Sequence, residues 1–112
     1  MSGKLLASLS TGNDKTIEKV YTVPDNTVVT CFITITNTQS NTNKVRLGIG
    51  NVTTPGNKDY ILYDYEIQGN SSYTRNGLVL SPKESVFIYS DKKNVVIRIE
   101  GIETDIRRIR ID

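Results

Sequence analysis

Three acidic side chains, Asp59, Asp64 and Glu66, fall close together in this chain and are its best candidates for acid–base chemistry. On one strand, Asp64 and Glu66 project to the same face about 7 Å apart, a spacing that two catalytic carboxylates can use. The same alternation puts Ile61, Tyr63, Tyr65 and Ile67 on the opposite face, so the acids read more simply as the solvated side of a half-buried strand. Calcium also takes oxygen ligands, but no Asp-rich, glycine-punctuated loop surrounds these three. The chain contains no histidine and a single cysteine. A serine or cysteine nucleophile therefore lacks an imidazole base, and Cys31 has no companions at metal-ligand spacing. No GxxxxGK[ST] or GxGxxG run is present to cradle a phosphate. The expectation is a protein that is not an enzyme, with no catalytic residue, no metal site and no cofactor.

Residues suited to binding are easier to find. Tyr60, Tyr63, Tyr65, Tyr73 and Tyr89 supply aromatic area. At strand spacing, Tyr63 and Tyr65 read as half-core residues whose hydroxyls reach water; exposed, such rings serve protein interfaces or carbohydrate platforms. The tail ETDIRRIRID is short, basic and sparsely apolar. Extended, it lines Arg108 and Arg110 along one side and Ile109 and Ile111 along the other. It reads either as a last edge strand, whose charges discourage edge-to-edge pairing, or as an arm that adds to a neighbouring subunit's sheet. The expected protein interface is Ile106, Arg107, Arg108, Ile109, Arg110 and Ile111, with Tyr60 and Tyr73. Nucleic acid is not expected as a partner, since a net charge of +2 and three arginines without interleaved aromatics make a weak footprint.

The elements that must position these residues are strands. Residues 27–37, TVVTCFITITN, alternate with a two-residue period: Cys31, Ile33 and Ile35 share one face, and Thr30, Thr34 and Thr36 the other. Further strands are expected at 4–9, 18–23, 44–50, 60–67, 71–75, 78–80, 85–90 and 94–102. Pro24-Asp25-Asn26, Gln68-Gly69-Asn70 and Ser81-Pro82 mark turns between them. Asn76-Gly77 suits either a tight hairpin turn or a bulge, and residues 91–94 read as the hairpin loop joining 85–90 to 94–102 as paired strands. Eight or so strands with turns every eight to twelve residues point to an all-β fold, a single antiparallel β-sandwich. The pattern leaves immunoglobulin-like and jelly-roll topologies both open. A chain of 112 residues is one domain in size, with a sandwich over 1–103 and an arm or final edge strand over 104–112. Cys31 reads as a small buried hydrophobe without a disulfide. The apolar stretch LLASL is too short for a signal peptide or a membrane span, so the expectation is a soluble protein made in a reducing cytosol, with no membrane partner. The sequons at Asn51 and Asn70 then read as chance matches.

Several pieces resemble one known group. They are Tyr21-Thr22-Val23-Pro24, Asn37, Val45-Arg46-Leu47, the segment DYILYD at 59–64, RNGLVL at 75–80, and VVIRIEGIE at 95–103. In this order they are similar to the pattern of small virion proteins of tailed bacteriophages, and the likeness runs over residues 19–103. The resemblance implies a non-enzymatic β-sandwich subunit of a virion, made in the host cytoplasm, as a capsid decoration or a neck or tail component. Its implied partners are other virion proteins, in a homo-oligomer or a many-copy assembly. The tail after Glu103 goes beyond the usual end of such domains and is the expected place of assembly-specific contact. The alternative is a carbohydrate-binding module that attaches a particle to a host surface through exposed tyrosines.

Overall fold

In the computed structural model, residues 4–12 and 15–108 are described. The fold grows from the alternation of β3 (Thr27–Asn37), which turns Val29, Cys31, Ile33 and Ile35 inward, where they are fully or almost fully enclosed. β1 (Lys4–Ser10), β2 (Glu18–Thr22), β4 (Asn43–Gly50), β5 (Tyr60–Ile67), β6 (Ser72–Leu80), β7 (Ser85–Ser90) and β8 (Val95–Asp105) complete the strands. They form two four-stranded antiparallel sheets, ordered β1-β8-β3-β6 and β2-β7-β4-β5. Val45 and Leu47, Val86 and Ile88, and Val95, Ile97 and Ile99 meet the β3 residues between the sheets. Each such side chain contributes about 1.5–3 kcal/mol by leaving water.

The pairing resolves the topology. β4 pairs with β5, β3 with β6, β2 with β7 and β1 with β8, as in one long hairpin; rolling that hairpin up adds β3–β8 and β4–β7. Two sheets wound in this way are an eight-stranded jelly roll. The expected hairpin of β7 with β8 is therefore corrected. β7 lies between β2 and β4, β8 lies between β1 and β3, and residues 91–94 carry the chain from one sheet to the other. The separate strands expected at 71–75 and 78–80 are one strand, β6, in which Asn76-Gly77 forms a bulge opposite Phe32 with Gly77 at φ 68°. β8 runs two residues past the boundary expected at 103, pairing Asp105 with Thr27. Ile106 then donates its N–H to the Asn26 carbonyl, and a short 3₁₀ turn, Ile106–Arg108, follows.

Bulges are distributed by a rule. The two central ladders, β3–β8 and β4–β7, keep an unbroken register. Each ladder to an edge strand shifts, and in each the extra residue belongs to the edge strand: β1, β2, β5 or β6. A bulged edge twists and offers no straight row of donors and acceptors to another chain.

One corner is fastened by asparagine. Asn37, fully buried, donates its side-chain amide to the Asn41 and Ile67 carbonyls, at 2.8 and 3.0 Å. Its amide oxygen accepts from the Gln39 N–H and the Asn43 side chain. Every hydrogen-bonding position of the group is thereby filled, as burial demands. The Asn37 N–H also donates to Ser71, and Asn70 donates to Gln39, so the 68–71 turn between β5 and β6 is tied to β3 and the loop after it. Gly69 permits that approach, since a Cβ there would lie 2.1 Å from the Ser40 carbonyl oxygen.

Candidate functional site

The β5 bulge makes the most organised surface feature of the described residues. Val45 faces Tyr65 and Leu47 faces Leu62, so Tyr63 and Asp64 together oppose the single residue Arg46. Asp64 holds φ 52°, which lets the chain carry both side chains to the outer face of the second sheet. Arg46 is held on three sides there. Its Nε donates to Asp64 Oδ1 at 2.6 Å, and its guanidinium carbon lies 4.1 Å from the Tyr63 ring centre and 4.3 Å from that of Tyr89. Tyr89 arrives from β7, where it stands directly across from Arg46 in the ladder. Tyr60 meets Tyr63 edge to face, with ring centres 5.1 Å apart. Next to this cluster, Pro55 and the Tyr60 ring cover Gly48, where the lack of a side chain leaves them room.

Charge and aromatic contacts reinforce one another here. The hydrogen bond from Arg46 keeps the Asp64 carboxyl below its ordinary range, and the same bond raises the guanidinium pKa. Stacking on two rings adds cation–π attraction. The result is a broad patch of tyrosine with a guanidinium fixed in its centre. Its contacts fix the orientation of the guanidinium.

The sequence expectations are redistributed accordingly. Tyr63 and Tyr65, read as half-core, are 57% and 44% exposed, whereas Tyr60 and Tyr73 are half-buried. Local alternation misplaced Tyr63 because the bulge shifts the phase: Leu62 takes the inward position and Tyr63 turns out. The proposed acid pair also separates in role. Asp64 is engaged by Arg46, Glu66 faces Lys44 across the ladder, and Asp59 accepts the Gly56 N–H at 2.8 Å inside the preceding loop. Among the described residues no group of histidine, cysteine, aspartate and glutamate is arranged to hold a metal. Burial raises the Cys31 thiol pKa and keeps it protonated, in line with its place in the core.

The tail is described only in part. Arg107 is tied back on Asp105, its Nη2 donating to Oδ2 at 2.9 Å and its backbone N–H to Oδ1 at 3.0 Å. Ile106 is half-buried and belongs to the turn that closes β8. The backbone of Arg108 ends that turn; Ile109, Arg110 and Ile111 lie outside the described residues.

Two other surfaces complete the picture. Leu5, Phe32 and Val79 are exposed on the outer face of the first sheet, where Phe32 borders a shallow groove with Gly77, Glu100 and Ile102. At the β5–β6 corner, Tyr65 and Tyr73 border a polar cleft. No helix among the described residues is long and apolar enough to cross a membrane. No family model, curated protein or solved structure matches this chain.

Proposed function

We propose that this chain is a non-enzymatic structural subunit of a tailed-bacteriophage virion, of the capsid-decoration, neck or tail kind. It holds neighbouring virion proteins through the outer face of its β2-β7-β4-β5 sheet. The observation that carries this reading is Arg46 clamped between Tyr63 and Tyr89 and oriented by Asp64. Tyrosine and arginine dominate the energetics of protein interfaces, and side chains already held in place lose little freedom on binding.

The edges support the same reading. With an extra residue in every edge strand, strand addition is discouraged and contact is directed to the faces. A particle repeats each contact many times, so modest patches suffice through avidity. The resemblance of residues 19–103 to small tailed-phage virion proteins supplies the biological setting.

Peptide mass spectrometry of density-purified, salt-washed particles from the source of this chain tests the proposal. The chain is expected at a fixed copy number relative to the major capsid protein. Its loss from washed particles, with the free protein recovered in the lysate, overturns the reading.

A further inference from the structure

We propose that the cleft between Tyr65 and Tyr73 is a carbohydrate-binding site that accepts a neutral hexose residue, a role separate from the assembly face. The cleft has a volume of about 270 Å³ and is lined by Tyr65, Glu66, Ile67, Gln68, Ser71, Ser72 and Tyr73. That lies just under the roughly 300–1,000 Å³ of sites for drug-sized ligands and suits one or two sugar rings.

The lining matches the two-sided chemistry of a pyranose. One face of such a ring presents C–H groups, which pack on an aromatic surface; its rim presents hydroxyls, which need both donors and acceptors. Tyr65 and Tyr73 meet at 5.1 Å with their planes inclined by 59°, a walled aromatic corner rather than a closed stack. Tyr65 is 44% exposed, so ring area remains open to a ligand. The Gln68 amide offers donors and an acceptor, Glu66 a pair of acceptors, and Ser72 a hydroxyl. None of these three side chains hydrogen-bonds to another described residue. The flanking strands, β5 and β6, are the free edges of their sheets, and their outward backbone groups add further partners.

The site is also held in shape. Asn37 fixes the carbonyl of Ile67 and, through its N–H, that of Ser71, on either side of the turn that carries Gln68. A pre-formed corner keeps the ordering cost of binding small. The other two surfaces differ in kind. The groove beside Phe32 is largely apolar, and the Tyr63 and Tyr89 rings are occupied by Arg46. Glu66 disfavours acidic sugars by like charge, which directs the site to neutral ones. A peptide strand fits less well, because bulges at Asp64 and Asn76-Gly77 break both edges.

Saturation-transfer and amide-shift NMR on the isotope-labelled full chain tests the site without any particle present. The probes are the methyl glycosides of glucose, galactose, mannose and N-acetylglucosamine, each at about 10 mM, where millimolar affinity is visible. At least one sugar is expected to receive saturation and to shift the amides of residues 66–73. Tyr65→Ala and Gln68→Ala should each weaken that binding about tenfold, and Tyr63→Ala should leave it unchanged. Silence from all four sugars, shifts that survive both cleft substitutions, or the same amides moved only by a peptide of residues 104–112 would each overturn the proposal. Because assembly is not measured, a negative result here leaves the virion reading to its own test.

Discussion

Asn37 and Arg46 organise this molecule more than their neighbours do, and each works through a partner far away in the chain. Asn37→Ala should strand the Asn43 amide and the Ile67 carbonyl in a buried corner, at a cost of about 2–3 kcal/mol in chemical denaturation. The Arg46–Asp64 hydrogen bond makes the outer patch pH-sensitive in acid. The folded-state pKa of Asp64 lies below the ordinary 3.8 because the Arg46 hydrogen bond favours the carboxylate. The stabilisation is therefore present above that value and disappears as pH falls through the lower, folded-state one. In an NMR titration the Tyr63 and Tyr89 ring signals should hold constant from neutral pH to about pH 4 and move together below it. Sequence made Asn37 visible as the end of a strand and, like Arg46, as a piece of the resemblance, with no partner for either. The partners of both are set by tertiary pairing, which no local period encodes. Asp64 and Glu66 lie on the solvated side of β5, as the alternation says, but the pairing of Asp64 with Arg46 was not legible, because φ 52° at Asp64 is a property of the bulge.

At the scale of elements, the strands were legible because β-branched alternation is a local signal: β3, β5 and β7 begin and end where the pattern says. Sheet membership was not. β7 and β8 are joined by a short loop, yet each finds its partners in a different sheet, since central strands are chosen by the rolled-up whole. Glycines show the same divide. Gly77 sits at positive φ in open space, so Gly77→Ala should cost only about 1 kcal/mol of backbone strain. Gly69→Ala drives a Cβ into the Ser40 backbone and should cost more, about 2–4 kcal/mol, with the cleft amides shifted. Thermal unfolding of the two variants side by side checks the order. The sheets are also pinned to each other by Tyr21, whose hydroxyl donates to Glu103. Tyr21→Phe should lose about 1–2 kcal/mol. Burial first, and then that bond, lift the Tyr21 pKa well above 10. The unfolded chain therefore ionises first, and stability should fall as pH rises past 10.

The whole molecule is a jelly roll with a tyrosine–arginine patch on one face, an apolar groove on the other and a polar aromatic cleft at one corner. Its bulged edges resist lateral sheet growth and leave the faces as the surfaces open to contact. Fold class was readable from pattern, whereas the choice of jelly roll needed the pairing of β1 with β8 and β2 with β7. The most direct test of the assembly claim is co-sedimentation of the purified chain with particles stripped of it, comparing wild type with Arg46→Ala and Tyr63→Ala. Both variants should keep a folded β spectrum and bind at least about tenfold more weakly, as interface anchors do. Wild-type binding by both variants would contradict the assignment of this face.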